Sequence, residues 1–332
     1  MKKGHLITAL IALGLFIWMI AHVGLAAIAR QLNAMRIAFP IILALSLLRL
    51  LLQTFCWSAS LEGENVSVAM PRLMGVRLAS QAMGYLTVFG PAVSEPMKVR
   101  LLGTATQPTI TGTLLDDGVY WFTSLLLTMA GIAGLLVLTA HSAEYRLVPT
   151  IALLIFLFIV LRRRSPILSS AVRALGARVP SWLVHAERIE ASIRTYRLNQ
   201  PALVRRMFCM DLACQVLIAS EVFVVLWSLH LPIHFIVILA ITGVTRTVRM
   251  LTGWIPARLG SEEGGAMSAF ALAGFSPMLG LSLALTRRVR DLLWALIGIL
   301  WLVWNSRKLS DCTETSGNSR TAVLKEVVKC RQ

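Results

Sequence analysis

The sequence predicts an all-α, polytopic integral membrane protein: a helical bundle of about eight spans with one or two re-entrant or broken helices. Hydrophobic residues make up 57% of its 332 residues and charged residues only 14%, whereas soluble domains carry about 25% charged residues. The apolar residues form continuous runs of spanning length, and backbone in lipid must satisfy its own hydrogen bonds. Such runs favour helices over a β-barrel, whose strands alternate.

Eight runs predict membrane spans: residues 6–29, 38–60, 113–140, 148–161, 207–229, 233–251, 266–286 and 291–304. The first is too long for the apolar region of a cleaved signal peptide, so we expect it to remain as a helix. The fourth is short, and the arginines that follow it can complete it by reaching the interface.

Two further segments are more polar and are interrupted by glycine and proline. Residues 71–93 contain arginines and three glycines, and residues 242–265 contain Arg246, Arg249 and Pro256 among several glycines. Irregular backbone is tolerated at membrane depth only beside protein or a wet cavity. We therefore expect both segments to be re-entrant or broken helices.

Both interrupted segments place Pro-Ala shortly before Ser-Glu, at residues 89–95 and 255–263. Interrupted segments at matching positions in two halves are typical of transporters with internal repeats. We therefore expect an inverted repeat in the membrane bundle of residues 1–304, with halves of about 1–161 and 207–304. We also expect Glu95 and the pair Glu262 and Glu263 to approach one cavity.

The formal net charge of +16 is concentrated between the spans. Residues 162–206 contain ten arginines and two glutamates, so this loop is predicted to be cytoplasmic and to join the halves. Both termini, including a polar tail at 305–332, then lie on the cytoplasmic side of the inner membrane. The basic stretches 30–36 and 287–290 fall on the opposite side. No aromatic-basic platform accompanies the charge, so nucleic acid is not an expected partner.

Ionisable side chains in the interrupted segments are the candidate lipid-binding residues, because such groups inside a membrane bundle are usually functional. Glu95 is the first candidate; the alternative is a simple ion pair with Lys98, three residues further on. Arg246 and Arg249 lie on one helical face and could clamp a lipid phosphate. Their alternative role is counter-charge for Glu221, Asp211 or Glu262 within the bundle. Both roles place the two arginines inside the bundle, because arginine exposed to lipid is costly.

Two pairs of carboxylates are predicted at helix starts. Glu262 and Glu263 begin an apolar run, where the free N–H groups of a first turn favour acidic residues; lipid binding is the equal alternative. Asp116 and Asp117 open the third predicted span as secondary candidates. Their favoured interpretation is N-terminal capping, and a proton or metal site is the alternative.

No metal, cofactor or catalytic residue is predicted. His230 and His234 have the spacing of metal ligands, but Pro232 lies between them and no third ligand is near. The five cysteines lack metal or redox spacing, which predicts free thiols. Phosphate loops and nucleophile motifs are also missing from the sequence.

Residues 91–102, Pro-Ala-Val-Ser-Glu-Pro-Met-Lys-Val-Arg-Leu-Leu, and residues 256–265 resemble two Pro/Gly/Glu motifs of the lysylphosphatidylglycerol synthase transmembrane-region family. The resemblance extends over residues 2–304. It implies lipid-binding roles for the matching positions, which are Glu95, Lys98, Arg100 and Glu262 or Glu263. Ser94 stands where the family often has glycine, and the two aspartates 116 and 117 stand near a Glu-Arg pair of many members.

Members of that family include flippase halves, stand-alone flippase-like proteins and hopanoid-associated proteins. The resemblance implies a lipid translocase or lipid-binding transporter for a polar-headed or terpenoid lipid, with membrane lipid, anionic or terpenoid, as its partner. An accessory subunit of a lipid- or glycan-modifying enzyme and a membrane-embedded transferase, with Asp116, Asp117 or Glu95 as base, are the alternatives. We expect no aminoacyl transfer, because a polar tail follows residue 304. A lipid-synthesis enzyme and a second copy of the chain stay open as partners.

Overall fold

The computed structural model describes residues 37–87, 90–103, 106–139, 199–253 and 260–329 with isolated residues 195, 255 and 258, and side chains up to residue 305 except 91 and 92. This part of the chain is all-helical, as predicted, with eight helices and no strand. The helices are α1 (Ala38–Glu62), α2 (Met70–Leu86), α3 (Gly90–Leu102), α4 (Gln107–Thr139), α5 (Pro201–Ser228), α6 (Phe235–Leu251), α7 (Ser261–Leu272) and α8 (Pro277–Lys329).

Within the described ranges, α1, α4 and α5 are the three helices long and apolar enough to cross a membrane. The shortest has 25 residues and extends roughly 37 Å at 1.5 Å per residue, against a hydrocarbon core of about 30 Å. They correspond to the predicted spans 38–60, 113–140 and 207–229. The predicted total of eight spans is not confirmed, and the predicted spans 6–29 and 148–161 lie outside the described residues, as does most of the basic loop 162–206.

Both segments predicted to be interrupted are broken into pairs of packed helices, α2 with α3 and α6 with α7. Thr87 follows α2 with extended backbone. Gly84 and Gly90 let α2 and α3 approach closely, since a Cβ on Gly84 would lie 2.8 Å from the Gly90 carbonyl oxygen. Gly260 precedes α7 with φ 77°, a conformation that glycine adopts without strain.

The predicted span 266–286 is wrong, because the chain breaks inside it. Helix α7 ends in a glycine cap: Gly274 has φ 85°, and the Phe275 N–H donates to the Phe270 carbonyl, which satisfies a free carbonyl of the last turn. The rings of Phe270 and Phe275 pack with centroids 6.1 Å apart. Pro277 then starts α8, a position where its missing N–H costs nothing.

The prediction that residues 287–290 form a loop before a separate span 291–304 is also wrong. This stretch lies inside α8, and Arg287, Arg288 and Arg290 are all buried. Arginine is a good helix former, and carboxylates on neighbouring helices pair with these side chains. The polar character of this stretch therefore reflects ion pairs inside the bundle and not a loop.

The two halves, α1–α4 and α5–α8, share one order: an apolar helix, a pair of short packed helices and a longer helix. Helix α4 packs along α6 and α8 packs along α2, so each half contacts the equivalent helix of the other. Glycines allow both contacts, with Gly131 against Gly243 and Gly298 against the backbone of Leu78. The internal repeat itself stays a prediction.

Candidate functional site

Ten charged side chains are buried within the described bundle: Arg77, Lys98, Asp116, Asp117, Asp211, Glu221, Arg246, Arg287, Arg288 and Arg290. A buried charge costs several kcal/mol unless it is paired, and ionisable residues inside membrane bundles are usually functional. Most of their contacts fall into two groups, which we call the carboxylate cluster and the arginine cavity.

The carboxylate cluster consists of Arg77, Glu95, Lys98, Asp116 and Asp117. Arg77 donates to Asp116 at 2.6 Å, and the Lys98 ammonium donates to Asp117 at 2.6 Å and to Glu95 at 2.7 Å. The side chain of Glu95 is 29% exposed, against 5% for Lys98. Each cation of this cluster therefore already has a carboxylate partner.

The predicted capping role of Asp116 and Asp117 is wrong, because α4 begins at Gln107 and both residues lie in its interior. Neighbouring helical residues point about 100° apart, so the two carboxylates reach different helices, α2 through Arg77 and α3 through Lys98. Among the described residues no group of three or more histidines, cysteines and carboxylates could hold a metal ion.

The arginine cavity is a space of about 50 Å³ lined by Arg49, Tyr120, Ile218, Glu221, Thr245, Arg246, Arg249, Arg287 and Arg290. Its lining contains five arginines and one carboxylate, and the lining residues lie on α1, α4, α5, α6 and α8. Both halves of the chain therefore build it.

An apolar cluster positions the cavity. Ile241 and Leu283 are buried in a core shared by α1, α5, α6, α7 and α8. Four residues along a helix return to the same face one turn away. Thr245 and Arg287 thus project from the same faces one turn beyond that core, and Glu221 lies one turn before the buried Val225. Close packing of the core holds the charged layer in place.

Glu221 is the central acceptor of the cavity. Arg290 forms a close ion pair with it, while Arg49 and Arg287 lie at 3.6 Å and 3.7 Å. Arg290 also donates to its neighbour Asp291 at 2.8 Å. One carboxylate thus faces three guanidiniums.

The remaining two arginines differ in their partners. Arg249 pairs with Glu262 at 2.7 Å and lies 3.7 Å from Asp291. Arg246 instead donates to two neutral groups, the Gln215 amide oxygen at 3.1 Å and the Tyr120 hydroxyl at 3.4 Å. Four of the five guanidiniums therefore contact three carboxylates (221, 262 and 291). Counted over the described residues, the five arginines exceed these carboxylates by two positive charges.

A second, smaller cavity adjoins the first and shares Thr245, Arg249 and Arg287 with it. Glu262 forms part of its wall. Glu263 points to a different partner, Arg288, at 2.6 Å. Both glutamates lie in the first turn of α7, as predicted.

The family model described as the lysylphosphatidylglycerol synthase TM region matches residues 5–298. The chain belongs to this family. Searches of curated proteins and of solved structures gave no match. Family membership and the apolar helices place the chain among multi-pass membrane proteins related to lipid modification or transport.

Both charged groups of this family member lie inside the matched range. Of the predicted lipid-binding residues, Arg246 and Arg249 line the arginine cavity and Glu262 contacts it through Arg249. Glu95 and Lys98 lie in the carboxylate cluster. The predicted placement of Lys98 or an arginine beside these carboxylates is met, whereas the approach of both Ser-Glu motifs to one cavity stays a prediction.

Two predicted residues lie outside the arginine cavity and the carboxylate cluster. Arg100 is exposed on α3, and Glu263 pairs with Arg288.

All three cysteines with described side chains are free thiols, as predicted. Cys56 lies 3.9 Å from the buried carboxylate of Asp211.

Sequence reasoning missed Arg49, Arg287, Arg290 and Tyr120 as cavity residues, and considered Glu221 only as a counter-charge. Arg49 had a usable signal, since it is a lone charge in the apolar run 38–60 and such charges face the bundle interior. Arg287 and Arg290 were hidden because adjacent arginines resemble a basic loop. Tyr120 carried no signal in the sequence.

Proposed function

We propose that this chain is a lipid translocase of the cytoplasmic membrane that binds the anionic phosphate of a polar-headed or terpenoid lipid in the arginine cavity. The observation that carries the proposal is the cavity, where five arginines surround a space between helices of both halves. A headgroup phosphate is costly to place in hydrocarbon. Guanidiniums fixed by the fold lower that barrier, because they replace water as hydrogen-bond donors.

The proposed membrane arrangement treats α2–α3 and α6–α7 as re-entrant hairpins that belong to an inverted repeat. Its support is that both hairpins occupy the same position in their halves and pack on the longer helix of the other half. Broken helices of this kind line the substrate sites of many transporters. Both termini and residues 162–206 would face the cytoplasm.

We assign the carboxylate cluster a secondary role on the lipid path. Glu95 is its most exposed member, with Lys98 buried behind it, and Arg100 is exposed on the same helix. An accessible carboxylate held by a lysine can exchange that partner for a headgroup amine or hydroxyl. Glu95→Gln should slow transport without unfolding the protein, since Lys98 keeps Asp117 as its partner.

A vesicle assay tests the function. Purified protein is reconstituted with phosphatidic acid or phosphatidylglycerol labelled on an acyl chain, and transfer between leaflets is followed by quenching the outer label. We expect faster transfer of at least one lipid than in protein-free vesicles. Arg246→Gln should slow it by about tenfold or more, since charge-assisted hydrogen bonds contribute roughly 1.5–3 kcal/mol each.

Arg205→Gln is the matched control, because Arg205 is exposed at the start of α5 and lies outside the cavity lining. It should transfer lipid at the wild-type rate. Wild-type vesicles that transfer neither lipid faster than empty vesicles would overturn the proposal and favour an accessory role beside a lipid-modifying enzyme.

A further inference from the structure

We propose that the arginine cavity selects a lipid with a terminal phosphate, a phosphate monoester, over the phosphate diesters of ordinary phospholipids. This inference rests on the proposed function, since it names the substrate class of the same site. Four features carry it: the charge excess, the free donor capacity, the size of the cavity and its opening.

The charge excess matches a doubly charged group. Five arginines line the cavity, and four of them contact the three carboxylates Glu221, Glu262 and Asp291. Among the described residues, two positive charges are therefore left in excess. Glu262 is also shared with Arg258 at 3.5 Å, which weakens its compensation of the cavity. A phosphate monoester carries about −1.5 to −2 at neutral pH, whereas a diester carries a single charge. A diester would leave one buried charge without compensation, which is costly.

The donor capacity is concentrated on Arg246 and Arg287. Arg246 contacts the neutral Gln215 and Tyr120 at 3.1 Å and 3.4 Å, and Arg287 contacts the Thr245 hydroxyl at 3.4 Å. Hydrogen bonds near 3.4 Å are long and weak, and each guanidinium has five N–H groups. A phosphate can therefore attract these donors away from their neutral partners. A monoester offers three terminal oxygens to them, and a diester only two.

The size of the cavity favours a bare phosphate. Its volume is about 50 Å³, and one water-sized group needs about 10–15 Å³ on this measure. The space thus accommodates about four such groups, enough for the oxygens of one phosphate. A glycerol or an aminoacyl substituent on the phosphate would need additional room.

The opening of the cavity suits a lipid tail. The side chains of Arg249 and Arg49 are 32% and 20% exposed, whereas Arg290 on the inner wall is 1% exposed. A phosphate bound among the inner arginines would therefore leave its ester oxygen near Arg49 and Arg249. The attached chain can leave the bundle there.

Competition binding tests the inference on the full-length protein in detergent. Phosphatidic acid and phosphatidylglycerol with identical acyl chains are added in equal amounts, and the bound lipids are counted by native mass spectrometry. We expect phosphatidic acid to be bound about tenfold more. Arg246→Gln should reduce this ratio towards one, Arg246→Lys should retain part of it because the charge remains, and Arg205→Gln should leave it unchanged.

Inorganic phosphate separates a lipid from a soluble ligand. If it displaces phosphatidic acid only at a large excess, the lipid chain contributes to binding, as proposed. Displacement at equal concentration would identify free phosphate as the ligand and overturn the inference. Equal binding of the two lipids would also overturn it, while lipid transfer in vesicles would leave the proposed function standing. Selective binding of phosphatidic acid without lipid transfer would instead support the inference about the site and overturn the proposed function.

Discussion

Two buried arginines illustrate different ways of holding a guanidinium inside a bundle. Arg77 donates to Asp116 at 2.6 Å and lies over the Trp57 ring, 5.6 Å from its centroid. Its charge is neutralised within the fold. Arg246 contacts only neutral groups among its described hydrogen-bond partners, Gln215 and Tyr120. Its charge has no carboxylate partner among the described residues, and we propose a structural role for the first arginine and a binding role for the second.

This difference predicts opposite phenotypes for two substitutions. Asp116→Asn should lower the free energy of unfolding by about 3–5 kcal/mol, because it leaves the Arg77 charge buried without a carboxylate. Arg246→Gln should change stability by less than about 1 kcal/mol, since it removes a charge that the protein does not neutralise. Unfolding in mixed micelles followed by circular dichroism measures both. Equal stability of the two variants would contradict the assignment.

At the scale of helices, glycines decide how closely the two halves meet. A Cβ on Gly131 of α4 would overlap the backbone of Gly243 on α6, and backbone atoms cannot rotate away as a side chain can. Small residues are typical of such helix contacts in membranes, where close packing drives association. Gly118 lies on the same helix α4, and no atom of the described residues lies within 4 Å of a Cβ placed on it.

The pair Gly131 and Gly118 gives a matched prediction. Gly131→Ala should destabilise the bundle by about 1–3 kcal/mol, because the helices must separate to admit the methyl group. Gly118→Ala should be neutral or stabilising by up to about 1 kcal/mol, since alanine favours the helix. Chemical unfolding of both variants checks this. The close α4–α6 contact would be refuted by identical stabilities.

At the scale of the whole molecule, the arginine cavity depends on both halves. The first half supplies Arg49 and Tyr120, and the second supplies Glu221 and the other four arginines. Any movement of one half against the other would therefore change the distances between Glu221 and Arg49. Packing of each half on a helix of the other half is also expected if the site opens alternately to the two leaflets.

The orientation of the molecule is predicted from its arginines. Residues 162–206, which lie mostly outside the described residues, hold ten arginines and two glutamates, so they should face the cytoplasm. A cysteine placed by Ser181→Cys in a background without the native cysteines should resist a membrane-impermeant maleimide in intact cells. It should react once the cells are permeabilised. Labelling in intact cells would reverse the topology.

The sequence by itself determined the membrane class, the all-α fold and the two interrupted segments. These properties are local, because hydrophobic length and the placement of glycine and proline act over one or two helical turns. The same local reasoning indicated that Arg246 and Arg249 face inward, because arginine exposed to lipid is costly.

Only the tertiary structure decided which charges meet. Glu221 gathers Arg49, Arg287 and Arg290 from helices far apart in the chain, and no pattern in a single sequence relates them. Asp116 likewise changed from a predicted cap to the partner of Arg77. An ion pair depends on the distance between two helices, which is set by packing contacts such as Gly131 against Gly243. Local polarity places a charge inside the bundle, but only packing chooses its partner.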